Sequence, residues 1–565
     1  MKTIEEMKSF PAARKNYRPE KVEKLSEEQM KWFRDAKFGM FIHWGVYSML
    51  GKGEWVLMNE HLDVRKYETL KDDFLAENFD AEQWAKNAKA AGMKYMVLTT
   101  RHHDGFCLFD SKCSDFTAMK GAAHRDFVKE YVEACRKEGM KVGFYYSPLD
   151  WRFPGYFMPD LYWESAEELK KQCHDQLMEL MSNYGKIDLL WFDGEWLALG
   201  GMDWNGERGW YRKDDWQTSE YMRVNYFWES EKLINEIRQL QPDIMINNRG
   251  GWEGDFHVRE RRIDGMRTDK PWDSNDCIAD SWGYIPGRPV LPLRQLIQNL
   301  VSIAVRDGNY LLNIGPDGTG SIPDFVSNTL RTSGKWIARY PQVIYGAGPS
   351  PWQHSLPWGD VVRQGNKLYL AVYEWPASGK LYLPGLQTEI ASAGICNGNK
   401  IQRIKIVQEG SWTVLQIPFR KPDPIISVIE LVMKGNEITV DNTQALDPEI
   451  GTNELSVIFA EAKDCHVYKS SWMEKFGEWK HEYCVSNLNR GGKIIWTVDV
   501  KSPGTYQVEL KVRGNGRVVW KVETDEGQMA QNQQSASSIF CKRPIGWIRF
   551  DKPGRHTITV NMPEG

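Results

Sequence analysis

Between residues 30 and 345, short apolar runs alternate with amphipathic stretches, the pattern of strands joined by helices around a mostly parallel sheet. The runs predict strands at 38–44, 94–100, 141–147, 187–193, 243–249 and 309–315, with two weaker ones near 263–268 and 278–283. Helices are predicted at 81–92 behind Asp80 as N-cap, at 125–139 ending on Gly139, at 165–185 starting from Ser165, and at 293–308. Each carries apolar residues at helical spacing and a glycine where it should stop. Strand then helix, repeated, predicts a (β/α)8-like catalytic domain over 1–345, an α/β barrel whose chemistry gathers at the C-terminal strand ends.

After Tyr345 the pattern becomes short alternating runs such as KLYLAVYEW (367–375), WTVLQIPF (412–419) and IISVIELVMKG (425–435), which predict a β-sandwich domain over 346–435. From Asn436 the runs at 493–500, 505–514, 517–524 and 556–562 predict a second β-sandwich module over 436–565. That module would either bind glycans through exposed aromatics such as Trp472, Trp479 or Trp547, or brace the barrel. The polar stretch EGQMAQNQQSASS (526–538) reads as a loop.

Charge and composition narrow the function. The 565 residues hold 72 Lys+Arg against 76 Asp+Glu, a net charge of −4 that draws in neither nucleic acid nor an anionic membrane. Aromatics are abundant, with 25 Trp, and flat rings that exceed the needs of a core can stack on sugars. Nine scattered cysteines without a CxxC pair suggest neither a disulfide framework nor a zinc site. With no apolar leader at the N-terminus and no membrane-length run, a cytoplasmic protein is expected, or a secreted or periplasmic one if a leader has been removed. No phosphate- or dinucleotide-binding loop and no GxSxG elbow occurs, so neither cofactor nor metal is expected.

The predicted strands end in His43 and Trp44, in His102, His103 and Asp104, in Tyr145 and Tyr146, in Trp191 and Asp193, and in Asn247, Asn248 and Arg249. Such a ring of polar and aromatic ends describes a polar pocket. Two carboxylates flanking a sugar are the minimum for glycoside hydrolysis. Asp193, closing the apolar run LLWF, supplies the first; Glu195, Glu253, Asp255 and Glu260 are candidates for the second. His102 and His103 are adjacent, and neighbours on a strand face opposite ways, so a shared metal ion would need a bend there. Hydrogen bonding to substrate hydroxyls makes no such demand.

The segments WFRDAKFGMFIHWGVYS (32–48), KYMVLTTRHHDGFCLFDSKCSDF (94–116), VGFYYSPLDW (142–151), LLWFDG (189–194) and NYLLNIGPDGTGSIPD (309–324) together resemble the α-L-fucosidases of glycoside hydrolase family 29. The resemblance implies a retaining exo-glycosidase acting on terminal α-L-fucose of an oligosaccharide or glycan through a covalent intermediate, with Asp193 as nucleophile. It also implies a sugar pocket of His43, Glu54, Trp55, His102, His103, Tyr145, Trp191 and Arg249, with Trp282 beside the fucose methyl. The stretch RGGWEGDFHVRERR (249–262) resembles the segment that carries the family's acid/base, which falls on Glu260, with Glu253 in reserve. Because Glu260 sits in RERR, the competing reading is an arginine-paired surface carboxylate. Asp273 replaces a glutamate common in relatives. The tryptophan-rich stretch 194–230, directly after Asp193, is expected to shape the aglycone side. Competing functions are action on a related sugar such as α-L-galactose, a non-catalytic carbohydrate binder, and a metal-dependent hydrolase using the histidines.

Overall fold

A computed structural model describes residues 20–157, 162–194, 227–263, 270–410, 412–447, 449–473, 479–488 and 491–563. Glu195, Trp196, Trp204, Trp210 and Trp216 lie outside these residues, as do the side chains of Trp472 and Trp479. The chain forms two compact units, Met1–Gly346 and Ala347–Gly565.

The first unit is built on a parallel sheet of β1 (Phe38–Ile42), β2 (Tyr95–Arg101), β3 (Lys141–Tyr146), β4 (Leu189–Phe192), β5 (Met245–Ile246), β6 (His257–Val258), β7 (Trp272–Cys277) and β8 (Gly308–Ile314). The order is β5-β4-β3-β2-β1-β8-β7-β6, and its two ends meet at an isolated parallel bridge between Asn247 and Phe256. Strands buried on both faces are expected for a parallel sheet covered by helices, and β1, β2, β4 and β8 are buried throughout. Gly39 on β1 sits opposite Tyr95, and a Cβ there would lie 2.4 Å from the tyrosine ring, so that close approach requires glycine.

A helix ahead of the first strand, Glu27–Ala36, packs into the barrel interior. Ser26 and Gln29 form a reciprocal capping box at its start. Its Met30, Phe33 and Ala36 share an apolar cluster with Phe41, Tyr95, Trp191 and Leu311 from the strands. Phe33 lies 4.9 Å from Phe256 and 5.7 Å from Tyr95. The helix is pinned to β8 by Asn309, whose Nδ2 donates to the Phe33 carbonyl at 2.8 Å, and by Arg34 and Lys37, which both pair with Asp307.

The apolar runs correspond to β1–β5 and β8, but β6 and β7 lie ahead of the segments that the sequence suggests, at 257–258 and 272–277 rather than 263–268 and 278–283. Strand β7 reads WDSNDC and buries Asp273, Ser274 and Asn275, so no apolar run marks it; β6 is two residues long. Asp80 caps Ala81–Ala90, and Phe127–Glu138 ends on left-handed Gly139, as the capping signals indicate. Ser165 is no N-cap: the long helix begins at Trp163, and the serine hydroxyl instead accepts the N–H of Gly155 at 3.1 Å.

In the second unit, the strands from Gly359–Gln364 to Ser427–Met433 form an antiparallel sheet over a core that includes Trp352, Trp358, Leu370, Leu415 and Ile429. Strands between Gln444 and Asn561 enclose a separate core of Trp496, Val498, Val522, Phe550 and Val560. The polar stretch taken for a loop contains a strand, Met529–Ser535, paired antiparallel with Arg517–Thr524. Ala530 turns inward there while Gln531 and Gln533 occupy the exposed flank, so the stretch escapes a search for apolar runs.

Candidate functional site

Asp193 stands one residue beyond β4. Its N–H donates to the Tyr146 carbonyl at 3.2 Å, carrying the β3–β4 pairing one step further. On the other flank β5 has already ended, and the Asn247 side chain takes over: Oδ1 accepts the Phe192 N–H and Nδ2 donates to the Phe192 carbonyl, both at 2.9 Å. Gly194 then turns the chain away at φ 81°, where a Cβ would lie 2.6 Å from Leu149 and 3.0 Å from the His103 ring. The carboxylate is thus held on a backbone fixed from both sides.

Its Oδ1 accepts from Arg249 Nη1 at 2.8 Å and its Oδ2 from the Tyr145 hydroxyl at 3.1 Å, with His103 Nε2 3.6 Å away. Burial raises the Tyr145 phenol far above its ordinary range, so it remains a donor. The other guanidinium nitrogen, Arg249 Nη2, donates to Glu260 Oε2 at 2.7 Å. Both carboxylates therefore sit on one fork. Glu260 is 9% exposed, not a surface residue, and burial pushes its pKa above the usual carboxylate range, Arg249 pulling the other way and the charge of Asp193 adding to the rise.

Two rivals for the second carboxylate lie elsewhere. Asp255 is buried against Arg238 in two bonds of 2.8 and 2.6 Å and accepts the Ile246 N–H, which makes it a structural pin between β5 and β6. Glu253 has a largely exposed side chain, and its pairing with Lys24 lowers its pKa, the reverse of what an acid needs.

The remaining residues join this pair through contacts. His43 shares its Nδ1 with Asn313 Oδ1 at 2.7 Å, and Asn313 Nδ2 donates to the Trp282 carbonyl at 2.7 Å. His103 Nδ1 meets Ser147 Oγ at 2.7 Å. Burial pushes His43 and His103 down to about 4 and lowers His102 strongly, so all three are neutral near pH 7 and each can both donate and accept. β2 ends at Arg101 after a register irregularity, so His102 and His103 fall beyond the strand; strand alternation does not govern them, and their rings lie 4.1 Å apart. Tyr145 stacks on Trp191 at 5.6 Å, Arg249 lies 5.2 Å over that indole, Trp55 meets His103 edge-on at 5.5 Å, and Trp282 is 5.2 Å from His43. Glu54 Oε2 accepts the N–H of Gly283, next to Trp282. The structure brings together in one cluster the residues expected to form the sugar pocket. Ser147 and Asn313, which contact His103 and His43, are not among the strand-end candidates; the signals are the hydroxyl that closes the predicted strand 141–147 and an amide within a buried apolar run, which needs partners.

Chemically, the cluster offers paired carboxylates on a shared cation, neutral imidazoles and indole walls, which suits hydrolysis of a neutral sugar acetal. The α-L-fucosidase family model matches residues 5–342. The plasma α-L-fucosidase of Homo sapiens is 31% identical over 402 residues, covering 64% of this chain and 80% of its own. The solved α-L-fucosidase isoenzyme 1 from Paenibacillus thiaminolyticus is 33% identical, with a TM-score of 0.62 over 72% of this chain and 99% of its own. The family 29 α-L-fucosidase from Bacteroides thetaiotaomicron, trapped as a covalent intermediate with 2-fluoro-fucosyl fluoride, is 25% identical, with a TM-score of 0.64 over 74% of this chain and 99% of its own.

Proposed function

From the premise that this chain belongs to the α-L-fucosidase family, glycoside hydrolase family 29, we propose that it removes terminal α-L-fucosyl residues from glycans or oligosaccharides with retention, Asp193 acting as nucleophile and Glu260 as acid/base. The observation that carries this reading is the Arg249 fork, one nitrogen on each carboxylate. Asp193 attacks the anomeric carbon while Glu260, holding a proton through its raised pKa, gives that proton to the leaving oxygen. As Asp193 becomes an ester and loses its charge, Glu260 gains one, and the same guanidinium serves the new anion without moving. Glu260 then takes a proton from water as that water attacks the anomeric carbon and breaks its bond to Asp193, which restores both groups.

His43, Glu54, Trp55, His102 and His103 bind the ring hydroxyls in this reading, and Trp191, Tyr145 and Trp282 wall its C–H face and methyl. A buried donor or acceptor left unmatched by the wrong sugar costs about 1–3 kcal/mol, which gives the pocket its selectivity. The test is turnover of an aryl α-L-fucoside against a panel of other aryl glycosides. Wild type should prefer the fucoside, and Asp193→Ala should lose on the order of 10⁴-fold or more in kcat. Equal turnover of another glycoside would overturn the sugar, and an active Asp193→Ala would overturn the nucleophile.

We further divide the chain at 345 and 435 into the catalytic barrel, a β-sandwich and a second module that binds glycan. Supporting the last is Trp547, 63% exposed on Cys541–Phe550 and opposite exposed Gln507, an indole face beside an amide.

A further inference from the structure

We infer that Asp273 is a positioning residue for the reaction: from β7 its buried carboxyl receives the indole N–H of Trp191 across the barrel interior and so fixes the ring against which both donors to Asp193 rest. The inference rests on the reading of Asp193 as nucleophile.

Asp273 is 1% exposed, and its Oδ2 accepts the indole N–H of Trp191 from Nε1 at 3.0 Å. β7 and β4 are not neighbours in the sheet, so this bond is a strut between non-adjacent walls. Upon the indole it holds, Tyr145 stacks at 5.6 Å and 17°, and the Arg249 guanidinium lies 5.2 Å over the ring. These are the residues that donate to Asp193 Oδ2 and Oδ1. A rotation of the indole therefore shifts both donors together, and Arg249 carries the shift to Glu260. The backbone of Asp273 reaches the other carboxylate as well, since its carbonyl accepts the N–H of Arg259, the residue before Glu260, at 2.8 Å.

A simple packing role accounts poorly for this choice of residue. An apolar side chain would fill the same space without burying a carboxyl whose Oδ1 has no hydrogen-bond partner among the described residues. Burial pushes Asp273 up to about 7, so at neutral pH the group is only about half ionised and draws on Arg249 less than an ordinary carboxylate would. An uncharged acid still accepts the indole N–H.

Kinetics of three single variants and one double variant on an aryl α-L-fucoside decide the matter. Asp273→Ala should lower kcat by about 10- to 100-fold, the range expected for a misplacement near 1 Å, while KM changes by less than about threefold. Asp273→Asn, whose amide oxygen also accepts the N–H, should return kcat to within about threefold of wild type. Trp191→Phe, which keeps a ring without the N–H, should itself lower kcat, and adding Asp273→Ala to it should cost less than about twofold more. The inference is overturned by a folded Asp273→Ala with wild-type kcat, by Asp273→Asn no better than Asp273→Ala, or by an undiminished Asp273→Ala effect in the Trp191→Phe background. If Asp273→Ala does not fold, the other two variants decide: rescue by Asn together with a loss in Trp191→Phe supports the strut, and wild-type kcat in Trp191→Phe refutes it. Asp193→Ala separates the two readings, since it is inactive if only the strut is wrong and active if the nucleophile is wrong.

Discussion

Arg249 faces two carboxylates at once, and its removal has a predictable sign. Its charge is the main opposition to the burial that raises Glu260, so in Arg249→Met the burial and the charge of Asp193 meet only the weaker pull of Arg261. With only Arg261 still opposing, the Glu260 pKa rises further, the proton is retained to higher pH, and the basic limb of the kcat/KM profile moves upward even as its maximum falls by about 10²-fold or more. A limb that moved downward would show that another group supplies the proton. At this scale the sequence reveals the carboxylate that ends an apolar strand, because Asp193 follows LLWF directly. Spacing and residue type do not rank Glu253, Asp255 and Glu260, which share one short stretch; only the family resemblance favours Glu260. What separates them is the partner each meets through folding: Lys24 at the surface, Arg238 beneath the strands, and Arg249 beside Asp193.

Elements place these residues where their own hydrogen bonds run out. β5 stops at Ile246, and the Asn247 side chain substitutes for the missing strand by pairing with both backbone groups of Phe192. Asn248 does the same toward β6, its Oδ1 accepting the Val258 N–H at 3.0 Å. Asn247→Ala would leave a buried N–H and a buried carbonyl unpaired next to the nucleophile. A cost of about 2–4 kcal/mol is expected, read as a lower denaturation midpoint, together with a fall in kcat. A stable variant with full activity would mean that β4 needs no such support. Six of the barrel strands are legible because each is a continuous apolar run. β7 is not, since it buries Asp273 and Asn275, and the partner of Asp273, Trp191, lies on another strand and leaves no period in the sequence. The strand at 529–535 is hidden for a related reason: it is polar, and its single inward alanine is too weak a signal.

In the whole molecule, catalysis and the proposed glycan contact belong to different units. Trp547→Ala should therefore weaken retention on an immobilised fucosylated glycan while leaving kcat and KM on a small aryl fucoside unchanged; unaltered retention would remove Trp547 from glycan binding. Among the described residues no helix is long and apolar enough to cross a membrane.

The helix at Glu27–Ala36 has a consequence for how the barrel is made. Its partners on β8 and at Asp307 lie 270 to 276 residues further along the chain. At about 5–20 residues per second, the ribosome delivers them roughly 14–55 s after the helix itself. Throughout that interval Met30 and Phe33, and the strand interiors that they will meet, have no closed barrel to enter. The helix therefore waits for the residues that hold it: its bonds to Asp307 and Asn309 cannot form until those residues have been made.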